Sequence, residues 1–152
     1  MGDKNRNIQF SKFINKQFPK IKTILVIADG NGELAYILAK QNLQVRVIEA
    51  KPRWKTKHTN ITYQKAWFDE NTEIIEDLIV GMHPDEATAE IMLAAKKQNK
   101  PFAVVPCCVV GKYANKKLNY EQWTQKLQAI FKCQSWQLNI YGKNVVLFQK
   151  IN

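Results

Sequence analysis

The sequence predicts an α/β fold: a mostly parallel sheet with helices on both faces and an antiparallel strand at the C-terminal end. Short apolar runs, typical of strands buried on both faces, alternate along the chain with segments of helical periodicity. The last two strand-like segments flank Gly142-Lys143 as a hairpin, so the second must run against the first. The chain has 152 residues, enough for one core. We expect residues 1–152 to form one domain, with residues 1–7 disordered.

The first half of the chain begins with a helix, followed by a strand, a glycine turn and a second helix. The apolar face of the first helix is made by Phe10, Phe13, Ile14 and Phe18, and Pro19 ends the segment. Residues 24–28 form an unbroken apolar run, which predicts a strand covered by helices above and below. The turn Asp29-Gly30-Asn31-Gly32 interrupts the run, and residues 34–39 continue at helical spacing.

The remaining elements follow from the same two periodicities. Further strands are predicted at 43–48, 61–68, 78–82, 101–110, 135–141 and 144–148. Helices are predicted at 86–98, with Asp85 as the N-cap, and at 120–131, capped by Asn119. The N-cap role for Asp85 is favoured over a catalytic one, because a carboxylate suits the positive end of the helix dipole.

The glycine turn and a carboxylate on the next strand indicate a nucleotide site. Gly30 and Gly32 can take positive φ and lack Cβ, so their N–H groups could approach a ligand at the helix start. Glu49 follows Gly32 by 17 residues and would lie beside the turn if the strands pair in parallel. A carboxylate there can accept both hydroxyls of a ribose, in a dinucleotide or in S-adenosylmethionine. Gly30 to Ala35 also matches the dinucleotide pattern GxGxxA, so both ligands stay open at this point.

Residues after the third strand can border a nucleotide base. Ala66 and Trp67 would lie near the carboxyl end of the sheet, where an adenine could stack. Ordinary packing explains Trp67 equally well.

The residues after the fourth and fifth strands carry the candidate chemistry. His83 lies where open α/β sheets bind ligands, and structural and functional roles for it are equally favoured. Cys107 and Cys108 either fill the end of the sheet as small apolar thiols or contact the substrate. The nearest cation in sequence is Lys112, so a thiolate nucleophile is not favoured.

The charge balance favours a polyanionic partner. Lys and Arg number 23 against 13 Asp and Glu, a formal net charge of +10, which suggests RNA or DNA. The alternative is that Lys and Asn are simply abundant throughout the chain. Residues 51–58 form the one dense basic cluster, and it includes Trp54.

The cysteines and the hydropathy indicate the redox state and the cellular compartment that we expect for the chain. Three cysteines, two of them adjacent, do not form a disulfide framework, and no CxxC or patterned His predicts a metal site. We therefore expect reduced cysteines and no metal. The N-terminus carries no secretory signal, and no apolar run is long enough to cross a bilayer. The expected setting is intracellular, by default cytoplasmic, without a membrane.

The whole pattern resembles the class I S-adenosylmethionine-dependent methyltransferases, whose Rossmann-like, seven-stranded sheet ends in an antiparallel strand. Residues 77–110 look more narrowly like methyltransferase-like domains with Pro-Cys-Cys after the fifth strand. That group is similar to some tRNA ribose methyltransferases and to eukaryotic proteins of unassigned substrate. By position, the resemblance implies that Asp29, Gly30, Asn31 and Gly32 contact the methionine part of the cofactor and that Glu49 contacts its ribose. It also implies that Ala66 and Trp67 contact the adenine, and that Met82 and His83 contact the methyl group.

The chain departs from that family at three places. Val26 and Ala28 replace the acidic residue and the first glycine of the opening motif. No Asn-Pro-Pro or Asp-Pro-Pro motif follows the fourth strand, which argues against methylation of an adenine amino group. Val109 stands where the tRNA group has a histidine after Cys-Cys. These departures bear more on the substrate than on the cofactor.

The expected function is therefore a S-adenosylmethionine-dependent methyltransferase whose acceptor the residues do not identify, with RNA as a candidate. His83 is the best-placed base, with Asp85 second. The alternative is a non-catalytic S-adenosylmethionine-binding or accessory subunit. An NAD(P)-binding protein is less favoured, because one sheet uses the chain and leaves little for a substrate-binding region.

Overall fold

One seven-stranded sheet organises residues 2–151, the part of the chain that the computed structural model describes. The strands are β1 Thr23–Ile27, β2 Gln44–Glu49, β3 Ile61–Lys65, β4 Leu78–Met82, β5 Phe102–Val105, β6 Gln134–Gln137 and β7 Val145–Gln149. The helices are α1 Arg6–Gln17, α2 Glu33–Ala39, α3 Thr88–Lys97 and α4 Tyr120–Phe131, with a 3₁₀ turn at Asp85–Ala87.

The sheet has the order β3-β2-β1-β4-β5-β7-β6 and is parallel apart from β7. At its centre, Val26 of β1 pairs with Val47 of β2 and Val80 of β4. β7 runs antiparallel to β5 and to β6, so β6 points the same way as the parallel strands. The predicted mostly parallel α/β sheet with an antiparallel C-terminal strand is confirmed.

Helices cover both faces of this sheet. Ile24 and Val26 pack on the side of α1 and α2, whereas Leu25 and Ile27 pack on the side of α3 and α4. Because successive side chains of a strand point to opposite faces, burial on both sides requires the continuous apolar run seen in β1.

The N-terminal segment is more ordered than the sequence suggested. α1 begins at Arg6, and the buried Asn7 donates from Nδ2 to Glu33 Oε2 at 2.7 Å. Asp3 Oδ2 accepts a hydrogen bond from the Tyr141 backbone N–H at 3.1 Å. The prediction of disorder is therefore wrong for residues 6 and 7, while Met1 lies outside the described residues.

The connection between the last two strands, the cap of α3 and the ends of two strands also differ from the predictions. The β6–β7 connection spans residues 138–144 rather than two residues, because Leu138 and Ile140 turn into the core instead of extending the strand. Asp85 does not cap the helix through its side chain: it opens the 3₁₀ turn at φ 51°, and α3 begins at Thr88. The third and fifth strands end at Lys65 and Val105, earlier than predicted. No helix among residues 2–151 is long and apolar enough to cross a membrane.

Candidate functional site

Two adjoining clefts open at the carboxyl ends of the central parallel strands, where α/β sheets bind ligands. The first, of about 760 Å³, lies over the turn between β1 and α2 and reaches the residues after β4. The second, of about 470 Å³, lies between the residues after β3 and the 3₁₀ turn. Both are lined by Ala28, by Glu49 to Lys51 and by Asp85, so they form one continuous groove.

Glu49 lies at the junction of the two clefts, beside the glycine turn, where parallel pairing predicts it. Its Oε2 accepts a hydrogen bond from the Gly30 N–H at 3.0 Å, and its Oε1 accepts one from the Lys51 N–H at 2.9 Å. The register that pairs Ile27 with Ile48 brings these groups together. The carboxylate is thus held in place by backbone on both of its oxygens.

The amides of Gly30 and Gly32, which the sequence analysis expected to approach a ligand, make internal hydrogen bonds in this structure. The Gly30 N–H is taken by Glu49, and the Gly32 N–H donates to the Asp29 carbonyl at 3.3 Å. Gly32 has φ 89° and lies behind the first cleft, where a Cβ would stand 3.0 Å from Thr56 Oγ1. It lines neither cleft. Gly32 therefore serves the turn and lets residue Thr56 pack against it.

Asp29 lines the first cleft and also caps α2. Its Oδ1 accepts from the Leu34 N–H at 3.2 Å and its Oδ2 from the Ala35 N–H at 2.9 Å. Burial of the carboxyl raises the pKa of Asp29 to about 7, although these two hydrogen bonds act in the opposite direction. Asn31 and Gly30 complete this wall of the cleft.

Four cations line the first cleft, and the sequence did not single them out as site residues. Arg53 lies over the glycine turn: its N–H donates to the Gly30 carbonyl at 3.0 Å, and its guanidinium stands 3.0 Å from where a Gly30 Cβ would be. Arg6 of α1, Lys51 and Lys65 line the same cleft. Within residues 2–151 none of the four forms an ion pair. The Arg6 Nε is buried and has no hydrogen-bond partner among the residues that the structure describes.

The basic cluster at 51–58 gave the only sequence signal for Arg53 and Lys51. Arg6 gave none, because α1 reaches the cleft only through the packing of the whole domain.

The second cleft has an apolar wall. Ala66, Trp67 and Phe68 line it, and Ile27 and Ile48 contribute from the strand ends. Trp67 is 74% exposed, so its indole does not pack in the core. Of the two roles considered for Trp67, ordinary packing is therefore wrong, and the contact with an adenine stays a prediction.

His83 lines the first cleft in a fixed orientation. Its backbone has φ 51°, and its N–H donates to the Val105 carbonyl at 2.9 Å. The ring Nε2 lies 3.0 Å from the Lys143 carbonyl, which can only accept. Nε2 therefore carries the hydrogen, and Nδ1 is left as an acceptor. Burial lowers the pKa of His83, which favours the neutral ring.

Cys107 and Cys108 lie behind Asp85 and line neither cleft. Cys107 Sγ donates to Asp85 Oδ1 at 2.8 Å, and burial raises the pKa of Cys107 to about 12. Cys108 is exposed, and all three cysteines are free thiols. Cys107 is therefore protonated and not a thiolate nucleophile, as its sequence context indicated. Substrate contact by either cysteine stays a prediction.

Comparison with known proteins finds methyltransferases both by sequence and by fold. No protein-family model matches the sequence. Two curated proteins, from Caenorhabditis briggsae and Caenorhabditis elegans, are each described as a probable tRNA (uracil-O(2)-)-methyltransferase and are 32% identical to this chain over 64% of its length. The alignment covers 20% of each nematode protein, so the chain spans about a fifth of the length of these relatives.

Two solved methyltransferase structures have a fold similar to that of this chain over nearly its whole length. The sugar N-methyltransferase KedS8 from Streptoalloteichus has a TM-score of 0.66 at 10% identity, covering 98% of this chain and 88% of that one. CalS10, an amino pentose methyltransferase from Micromonospora echinaspora solved with S-adenosylmethionine, has a TM-score of 0.66 at 9% identity, covering 95% and 89%. The narrower likeness to Pro-Cys-Cys domains stays a prediction. With its strand order and reversed β7, the chain has the fold of the class I S-adenosylmethionine-dependent methyltransferases.

Proposed function

We propose that this chain binds S-adenosylmethionine in the groove and methylates a hydroxyl group of an RNA. The observation that carries the proposal is the position of Glu49, which both clefts share. In the cofactor the ribose joins the adenine to the methionine, so a carboxylate between two clefts is placed for the ribose hydroxyls. The second cleft, with Ala66 and Trp67, then takes the adenine, and the first takes the methionine.

The remaining residues of the first cleft fit the charged end of the cofactor. Asp29 offers a carboxylate toward the amino group, with Gly30 and Asn31 beside it. Arg6 and Arg53 offer guanidinium groups for the cofactor's carboxylate or for a phosphate of the acceptor. Arg6 Nε, buried without a partner, is the kind of donor that a bound anion would satisfy.

The acceptor class is proposed from charge and from the relatives. The four cations of the first cleft border its opening without ion pairs among residues 2–151, as expected of a phosphate-binding surface. The nematode relatives are each described as a probable tRNA (uracil-O(2)-)-methyltransferase, which names an RNA as their substrate. This chain matches about a fifth of the length of these relatives, so their substrate does not transfer to it directly. That this chain itself acts on RNA is part of the proposal.

His83 and Met82 are placed on the acceptor side of the groove. Bound S-adenosylmethionine would supply a methyl group already activated by its sulfonium. The protein's part is to hold the acceptor hydroxyl in line and to accept its proton. His83 Nδ1 is the acceptor left free when Nε2 donates to Lys143, so it is the atom proposed to take that proton. Asp85, which lines the same cleft, is the second candidate.

A non-catalytic cofactor-binding subunit is the second candidate function. It is favoured by Ala28, which replaces a family glycine yet has φ 59°, and by Val26, which is buried in the core where the family has an acid. The internal hydrogen bonds of Gly30 and Gly32 also leave fewer amides for a ligand than expected.

Calorimetry followed by a transfer assay tests these alternatives. We expect S-adenosylmethionine and S-adenosylhomocysteine to bind and NAD to give no heat. Absence of heat at millimolar S-adenosylmethionine would overturn the proposal. The bound protein is then incubated with total RNA and methyl-labelled cofactor, and nuclease digestion locates the label. Label on a ribose hydroxyl supports the proposed activity, whereas binding without transfer supports the accessory subunit.

A further inference from the structure

We propose that Asp85, Cys107 and Cys108 form a binding site for a divalent thiophilic cation of the zinc class. One donor atom of each residue lies within 4.8 Å of the other two. The Cys107 Sγ is 2.8 Å from Asp85 Oδ1, with the thiol proton between them. A cation in this position replaces the thiol protons and bonds to both sulfurs and to the carboxylate.

The donor set matches what zinc prefers. Two thiolates and one carboxylate are common zinc ligands, with Zn–S near ~2.3 Å and Zn–O near ~2.0–2.2 Å. Ligand atoms at those bond lengths stand about 3.5–3.8 Å apart in a tetrahedron, which lies within the 4.8 Å span of the three donor atoms. Three protein ligands leave one position, which water fills in sites of this kind.

The fold brings the three residues together by strand pairing. Met82 of β4 pairs with Val105 of β5, so the segments leaving these strands run side by side. Asp85 is on one segment and the cysteine pair is on the other. The same two segments also come close at Gly111 and Glu86. Gly111 has φ 84°, and a Cβ there would stand 2.9 Å from the Glu86 carbonyl oxygen.

The three ligands of this site do not form a local sequence motif. Metal patterns such as CxxC place two ligands at a fixed local spacing, and the chain has none. Here the third ligand, Asp85, comes from the segment that follows the neighbouring strand β4, 22 residues away from Cys107. The site is also separate from the proposed cofactor contacts, since neither cysteine lines the groove. It adjoins the acceptor side through Asp85 alone.

Cobalt spectroscopy tests the site directly. Purified, reduced protein is titrated with Co²⁺, whose thiolate complexes absorb in the near-ultraviolet and, when tetrahedral, in the visible. We expect both bands, and we expect Zn²⁺ to abolish them by displacement. Cys107→Ser and Cys108→Ser should lose the thiolate band, and Asp85→Asn should weaken Co²⁺ binding by about tenfold or more.

Cys133 provides the matched control, because it is the third free cysteine and lies outside the cluster. Cys133→Ser should keep both bands, and Zn²⁺ should protect two thiols from a thiol reagent in wild-type protein. Circular dichroism confirms that each variant is folded. The proposal is overturned if folded wild-type protein gives no thiolate band at millimolar Co²⁺. It is equally overturned if the band survives in the folded double variant C107S/C108S.

Discussion

Glu49 Oε2 accepts a hydrogen bond from the Gly30 N–H at 3.0 Å, which ties the end of β2 to the turn after β1. The same carboxylate also receives the Lys51 N–H. An ionised carboxylate has about four acceptor positions, so Glu49 can hold the turn and still accept two ribose hydroxyls. Its structural and binding roles should therefore be separable by substitution.

Glu49→Gln should weaken S-adenosylmethionine binding by about tenfold, since the loss of a charge-assisted hydrogen bond costs about 1–2 kcal/mol. The amide oxygen can still accept from the Gly30 N–H, but the amide NH₂ cannot accept from the Lys51 N–H, so the free energy of unfolding should fall by the ~0.5–1.5 kcal/mol of one hydrogen bond. Glu49→Ala removes both roles and should lower affinity and stability together. Calorimetry and thermal unfolding measure the two effects. The exposed Glu73→Gln is the charge-matched control. An unchanged affinity in Glu49→Ala would exclude Glu49 from the binding site.

His83→Asn should lower methyl transfer by about 10²–10⁴-fold while leaving cofactor affinity unchanged. Asn tolerates the φ of 51° found here but cannot take up a proton, and its side chain is too short to replace Nε2 as the donor to the Lys143 carbonyl. His83→Ala removes every polar group of the side chain. Single-turnover rates and calorimetry separate chemistry from binding. Full activity in His83→Asn would exclude proton transfer by this ring, and lost cofactor binding would give it a cofactor role instead.

Gly32→Ala and Gly142→Ala form a matched pair for the glycine turn. Both positions have similar positive φ, 89° and 82°, so each alanine should cost about 1–2 kcal/mol of conformational strain. Only Gly32 has neighbours: a Cβ there meets Thr56 Oγ1 at 3.0 Å, whereas nothing lies within 4 Å at Gly142. Chemical denaturation should therefore show the larger loss for Gly32→Ala. Equal losses would mean that Thr56 moves aside without cost.

Asp29→Asn should change how stability depends on pH. The pKa of Asp29 is about 7 in the folded protein and 3.8 as a reference value for the unfolded chain. Between these values the folded state holds a proton that the unfolded state has released, so stability falls as pH rises through this window. Asn cannot titrate. The stability of wild type relative to Asp29→Asn should therefore be highest at the acidic end and decline toward neutral pH. A constant difference in melting temperature across the window would contradict the raised pKa.

Arg53→Gln should weaken binding of RNA and reduce the slope of log affinity against log salt by about 1, because one phosphate contact is lost. Lys16→Gln, at the C-terminal end of α1 and outside the cleft, serves as the control for net charge. Fluorescence anisotropy at several salt concentrations measures both slopes. Equal effects of the two substitutions would show that affinity follows net charge and not the four cations of the cleft.

The sequence predicted the sheet well, because its signals are local. The apolar run at residues 24–28, the glycine turn and the carboxylate at Glu49 each follow from residues a few positions apart. Parallel pairing then places Glu49 next to Gly30 without further information.

The parts that were mispredicted depend on contacts between distant segments. Asp85 was assigned to a helix cap, but its carboxylate instead accepts a hydrogen bond from Cys107, in the segment that follows the neighbouring strand β5. Arg6 reaches the groove because α1 packs beside α2, which periodicity alone does not reveal. The glycine amides were assigned to a ligand because their use inside the turn depends on the positions of Glu49 and Asp29.

The position of β7 between β5 and β6 has a consequence for the order of folding. β7 follows β6 in the sequence but lies between β6 and β5 in the sheet, and within residues 2–151 β6 pairs with β7 alone. The parallel strands β1 to β5 precede this pair in the chain and can assemble early, whereas the Lys143 carbonyl that contacts the His83 ring belongs to the later β6–β7 connection. The cleft proposed for the adenine can thus fold before the part of the groove that is proposed to hold the reacting hydroxyl beside His83.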